Sequence, residues 1–119
     1  PGDHGTTYGG NPLVCTAVAK TLEIFEKERL TEHVKEIGAY LEERLDELAA
    51  SEDTVLERRG TGLIQGIRLT KPAGEVTARA MEEGLVIITA RSDVIRFVPP
   101  MVIAKEHVDE MIEKLKKSL

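Results

Sequence analysis

The sequence predicts an α+β fold: a short, mostly antiparallel sheet with helices on one face, preceded by a glycine-rich loop and one further helix. Three observations predict it. Strand-like segments come in two pairs, with one helix between the pairs and another after them, an order that favours hairpins over the single-strand alternation of a parallel α/β fold. Segments 31–50 and 105–119 carry apolar residues at three- and four-residue spacing on one face and charges elsewhere. The length, 119 residues, suits one domain or a piece of one. With 41% hydrophobic but only 3% aromatic residues and no Trp, its core is aliphatic.

Residues 1–12, PGDHGTTYGGNP, hold four glycines and two prolines, the composition of a loop. Asn11 is a suitable N-cap and Pro12 a suitable first helical residue, so a helix begins there and runs from Leu13 to about Glu28. Its apolar positions, 14, 18, 22 and 25 but also 13, 15, 17, 19 and 24, form a stripe wide enough to imply burial on more than one side, as for a helix between domains or subunits. The next helix, Thr31 to Ala50, aligns Val34, Ile37, Leu41, Leu45 and Leu48, and its Glu-rich faces read as solvated surface. Strands Val55 to Arg59 and Leu63 to Leu69 flank a Gly60-Thr61-Gly62 turn. After a loop at 70–74, a short helix from Glu75 to Glu83 ends at Gly84. Strands Leu85 to Thr89 and Val94 to Val98 precede the rigid Pro99-Pro100 stop, and Lys105 to Leu119 is the closing helix. The division this predicts is 1–30 for the loop and interdomain helix and 31–119 for a small α+β domain.

Sixteen basic against twenty-one acidic residues leave a net charge of −5, spread along the chain, so phosphate-backbone binding has no electrostatic footprint and no nucleic-acid partner is expected. A lone cysteine, Cys15, excludes an internal disulfide and favours a reducing cytoplasm; its place between Val14 and Thr16 reads as a small core residue. No apolar run approaches the roughly 20 residues that span a bilayer, and no basic-then-apolar leader opens the chain. Opening on Pro1, directly into a glycine-rich stretch, the sequence reads as part of a longer protein.

Two places carry candidate chemistry. In GDHGTTYGGNP, closely spaced glycines, the hydroxyls of Thr6 and Thr7 and an adjoining helix N-terminus fit a phosphate cradle, although the spacing is neither a P-loop nor a dinucleotide fingerprint. The plainer alternative is a linker that caps a helix. His4 beside Asp3 lacks the second histidine a metal site would want, and no metal is expected. Arg96, in VIRFVPP, alternates to the face opposite Ile95 and Phe97, where its fork suits a carboxylate; the alternative is an edge-strand arginine in a structural ion pair. Arg58, Arg59 and Arg68 read as solvated, and His33 and His107 have no evident catalytic partner.

Taken in order, HGTTYGGNPL, RGTGLIQGI, GLVI and VIRFVPPMVI with its closing helix resemble the C-terminal third of a class III (ornithine-type) aminotransferase of the pyridoxal-phosphate fold type I superfamily. The resemblance spans essentially the whole chain, and the GDHG opening, with Asp3, is nearest the acetylornithine-using branch. It implies transfer of the side-chain amino group of N-acetylornithine to 2-oxoglutarate in arginine biosynthesis, by a cytoplasmic homodimer using pyridoxal 5'-phosphate. It implies that Thr7, with Thr6 beside it, binds the phosphate of the cofactor held mainly by the partner subunit, and that Arg96 binds a substrate carboxylate. The Schiff-base lysine, the aspartate for the pyridine nitrogen and the stacking aromatic belong to the family's large domain. None of the eight lysines here has that context, so no catalytic residue is assigned, and the chain by itself is expected to be inactive and, with its first helix uncovered, prone to associate. Other readings are a different ω-amino donor (ornithine, succinylornithine, 4-aminobutyrate or an acyl-lysine) and a stand-alone anion-binding module.

Overall fold

The computed structural model describes Gly2 and residues 4–119. Asp3, which carries the acetylornithine-branch reading and the His4 pairing, lies outside the described residues. The elements are α1 (Pro12–Lys27), α2 (Leu30–Ser51), β1 (Val55–Thr61), β2 (Ile64–Leu69), α3 (Ala73–Glu82), β3 (Ile88–Arg91), β4 (Val94–Phe97) and α4 (Lys105–Ser118). Between Thr31 and Glu32 the chain divides into two compact units.

The first unit is the loop and α1. The Asn11 carboxamide oxygen accepts from the Val14 N–H at 3.0 Å and Pro12 opens the helix, as the residue types require. The wide apolar stripe is not buried: no α1 residue is, and Leu13, Val14, Val18, Leu22 and Ile24 are all exposed. Cys15 is exposed too, which corrects its reading as a core residue. Helical periodicity identifies which residues are apolar together but not what covers them.

The second unit is a four-stranded antiparallel sheet, in the order β1-β2-β4-β3, with α2, α3 and α4 over one face. Ile37, Leu41, Leu45 and Leu48 of α2 meet Ile67, Leu69, Ile95 and Phe97 of the sheet, Val76 of α3, and Val108, Ile112 and Leu115 of α4 in one aliphatic core. The alternation along β2, with Gln65, Ile67 and Leu69 buried and Ile64, Gly66 and Arg68 outward, is the period of a sheet covered on one side. Gly38 of α2 lies where a Cβ would come 2.8 Å from the Gly62 Cα, so the helix passes backbone to backbone against the β1–β2 turn.

Three boundaries shift for identifiable reasons. The first hairpin turns at Gly62-Leu63, because Gly60 and Thr61 pair with Gln65 and Ile64; Gly62, at φ 55°, supplies the left-handed residue a two-residue turn needs. Helix α3 starts at Ala73, directly after Pro72, with the Ala73 N–H held by the Ser92 carbonyl at 2.8 Å. Strand β3 starts at Ile88 rather than Leu85: the Leu85 N–H closes α3 on the Ala80 carbonyl, and the two-residue turn at Ser92-Asp93 lets four-residue β4 reach only as far as Ile88. No helix among the described residues is long and apolar enough to cross a membrane.

Candidate functional site

In the loop, Thr6 Oγ1 accepts from the Gly9 N–H at 3.1 Å, which leaves the hydroxyl proton free to donate outward. A Cβ at Gly9 would fall 2.2 Å from Thr6 Cγ2, so a larger residue there would push the Thr6 side chain out of this position. Asn11 ties this loop to α1 with both ends of its amide: Nδ2 donates to the Tyr8 carbonyl at 2.6 Å while Oδ1 caps the helix. Gly10, at φ 71°, supplies the left-handed step between them. The Thr7 hydroxyl is exposed and takes part in none of these bonds. Two hydroxyl donors, held by a turn next to a helix start, can receive an oxyanion.

Arg96 belongs to the second unit, on β4. It is exposed, while its neighbours Ile95 and Phe97 are buried, as the alternation predicts. The strand is not an edge strand: β4 lies between β2 and β3, and Arg96 pairs with Gly66 on one side and Ile88 on the other. Among the described residues Arg96 has no ion pair, so the structural-pair alternative finds no partner. Arg96 is also among the residues lining a groove of about 410 Å³ whose walls are largely apolar, including Leu85, Ile87, Val98, Ile103 and Met111. An unpaired, exposed guanidinium can orient a ligand through a carboxylate.

The other titratable residues have structural work. His107 also lines the groove, but its Nδ1 accepts from the Ala104 N–H at 3.0 Å and closes the start of α4. His33 donates from Nε2 to the Ile103 carbonyl at 2.8 Å, pinning the segment after Pro99-Pro100 to α2. Tyr40 donates to Asp109 at 2.8 Å, and Arg44 shares that carboxylate at 3.1 Å. The bond to Asp109 holds the Tyr40 phenol above its ordinary pKa.

Arg58 departs from the solvated reading. Its β1 position pairs with Ile67, on the helix-covered side of the sheet, and its side chain is only 20% exposed. It grips Asp46 with two N–H groups, at 2.7 and 3.2 Å, and donates to Gln65 Oε1 at 3.1 Å. The Asp46 bond raises the arginine's pKa. Asp46 and Glu42, on the acidic faces of α2, also serve β-strand side chains while those faces stay largely exposed. Gln65, buried and absent from the sequence-based candidates, donates to Glu42 at 3.1 Å and to the Gly62 carbonyl at 2.8 Å. Its inward register with Ile67 and Leu69 was the signal that could have found it. Arg59 and Arg68 do lie on the open face, both paired with Glu57, whose carboxyl they hold below its ordinary range, Arg68 most strongly.

The small antiparallel sheet with its covering helices is shared with aminotransferases of known structure. Over 100% of its length the chain matches the structure of lysine aminotransferase from M. tuberculosis with a TM-score of 0.90 and 32% identity, and covers 28% of that chain. It matches the acetylornithine aminotransferase of Elizabethkingia anophelis over 99% of its length, with a TM-score of 0.89 and 28% identity, covering 31% of that chain. The class-III aminotransferase model matches residues 1–119, and the chain belongs to that family. Acetylornithine aminotransferase 1 of Bordetella pertussis is 41% identical over 115 residues, which is 97% of this chain and 29% of that protein. The ornithine aminotransferase of Bacillus subtilis is 41% identical over 119 residues, 100% of this chain and again 29% of the relative. The chain thus spans 29% of the length of these two curated relatives.

Proposed function

We propose that this chain is the C-terminal part of a pyridoxal-phosphate-dependent aminotransferase of fold type I that moves the side-chain amino group of N-acetylornithine to 2-oxoglutarate, working as a homodimer. Pyridoxal phosphate, when bound, supplies the electron sink that loosens a C–H bond beside the transferred amino group. Thr7 and Thr6 donate their hydroxyls to its phosphate. In support, Thr6 accepts from Gly9 with one lone pair of its oxygen, which leaves the O–H proton available to donate. Arg96 takes the carboxylate of 2-oxoglutarate in its fork and so fixes the orientation of the acceptor. The observation that carries this role is its exposed position on β4 with no ion pair among the described residues. The division at residues 1–30 and 31–119 separates the phosphate-binding piece from the carboxylate-binding piece. No lysine here has the context of the family's Schiff-base lysine, so the chain by itself performs no transamination.

In the complete enzyme, Thr7→Val removes one hydroxyl donor to a charged phosphate. It is expected to weaken cofactor retention by about 1.5–3 kcal/mol. Arg96→Lys is expected to raise the KM for 2-oxoglutarate while leaving the thermal midpoint in place. Unchanged cofactor affinity in the first variant, or normal kinetics with lost stability in the second, would overturn these roles. Ornithine as donor is the second reading, favoured by the equal 41% identity to the B. subtilis relative. Comparing kcat/KM for ornithine and N-acetylornithine decides between them.

A further inference from the structure

The sheet face left open by the helices carries a second concentration of cationic groups. We propose that the notch between Arg59, Arg68 and Arg91 is a binding site for a small multivalent oxyanion, a phosphate or a dicarboxylate. The notch has a volume of about 160 Å³ and is lined by these three arginines together with Gly66, Ala90 and Val94. Register explains how they come together. Arg59 of β1 pairs with Gly66 of β2, Arg68 of β2 pairs with Val94 of β4, and Arg91 of β3 pairs with Val94 from the other side. Gly66 sits among them without a side chain, and a Cβ there would stand 3.2 Å from the Ile95 carbonyl. The face is therefore open at its centre, with guanidinium groups around the opening.

The charges do not cancel. Glu57 is the one carboxylate paired with these arginines, accepting from Arg59 Nη2 at 2.5 Å and from Arg68 Nε at 2.6 Å. Arg91 has no ion pair among the described residues. Three guanidinium groups against one carboxylate leave two uncompensated positive charges on a chain whose net charge is −5. Each paired arginine engages Glu57 through one N–H only, so further N–H groups of its fork stay available to a ligand. The size favours a small ion, since the clefts that hold larger organic ligands run from about 300 Å³ upward. Arg96 pairs with Gly66 on the same face, but the proposal is argued from Arg59, Arg68 and Arg91 and does not rest on the transamination reading.

The test is an amide-resolved NMR titration of the 119-residue chain at neutral pH and constant ionic strength, with inorganic phosphate in one arm and malonate in the other. The expected result is saturable shifts at Gly66, Arg68 and Arg91 in at least one arm; saturation by phosphate alone assigns a tetrahedral ligand and saturation by both a general oxyanion site. Arg91→Gln should weaken the binding about fourfold or more, the effect of one unit charge at about 5 Å in a water-like medium. Glu57→Gln, which removes the competing carboxylate, should tighten it by a similar factor, and Lys35→Gln on α2 should change neither. Shifts that grow linearly without saturation in both arms, or a Glu57→Gln chain that binds no more tightly than the parent, would overturn the site. Because the glutamate variant is expected to gain binding, a folding defect in the arginine variant cannot imitate the full pattern.

Discussion

Replacing Gly38 by Ala sets two effects of opposite sign against each other. In the interior of a helix alanine is favoured over glycine by about 1 kcal/mol, so an unobstructed site would be stabilised. Here the new Cβ would stand 2.8 Å from the Gly62 Cα and 2.9 Å from its carbonyl carbon. Carbon atoms prefer separations of about 3.5–4.0 Å, so the backbones must part by nearly 1 Å. Neither side has a rotamer to change, and Gly62 is held at φ 55° by the two-residue turn. Overpacking costs about 1–3 kcal/mol, and backbone against backbone belongs at the upper end. After the propensity gain is subtracted, the net loss is about 2 kcal/mol. Gly74→Ala is the matched control: it lies in the first turn of α3 with no atom within 4 Å of its Cβ position, so it should gain up to about 1 kcal/mol. Urea unfolding followed by circular dichroism measures both. With a slope of about 1–3 kcal/mol per molar urea, the two midpoints should move in opposite directions and end about 1 M or more apart. A Gly38→Ala midpoint at or above that of the parent would refute the reasoning, because it would mean that the hairpin tip yields without cost.

Two further outcomes follow from the polar networks. Arg68 and Arg59 hold the Glu57 carboxyl below its ordinary range, so the stability it contributes is fully present above the unfolded carboxylate value and is lost as pH falls through the lower folded one. Glu57→Gln should therefore be less stable than the parent at neutral pH and should lose less on acidification; parallel stability curves between pH 7 and pH 2 would show that the pair contributes nothing. Gln65→Leu should cost about 1–3 kcal/mol, because it removes the donor to the Gly62 carbonyl and the acceptor for Arg58 in a buried setting. An unchanged urea midpoint would show that water replaces both bonds.

Most of this fold was legible where the physics is local. Asn11 and Pro12 start α1, Gly84 at φ 74° follows α3, and the spacing of Ile37, Leu41, Leu45 and Leu48 marks the buried face of α2. What was not legible depends on partners distant in sequence. Strand order puts β4 inside the sheet, which removes the edge-strand alternative for Arg96. The bulge between Val55 and Glu57 turns Arg58 inward to Asp46, against its reading as a solvated residue, and nothing local in the sequence marks that bulge. Cys15 and the apolar stripe of α1 show the same limit from the other direction, since side-chain character does not reveal what stands opposite. Among the candidate residues, Thr6, Thr7 and Arg96 stand out in the sequence through the glycine-rich stretch and the strand alternation, with their roles implied by the resemblance, whereas Arg91 and Gly66 come together only through cross-strand register.

The interior position of β4 bears on what the proposed capture of an anion by Arg96 would cost. An arginine on a loop would lose backbone as well as side-chain freedom on capture, at about 1–2 kcal/mol for each backbone residue fixed. The Arg96 backbone is already immobilised, with Gly66 and Ile88 paired on either side. Only the torsions of its own side chain remain to be frozen, about 0.5–1.5 kcal/mol. Much of the entropy of capture has therefore been spent at folding, where burial of Ile95 and Phe97 on the same strand offsets it.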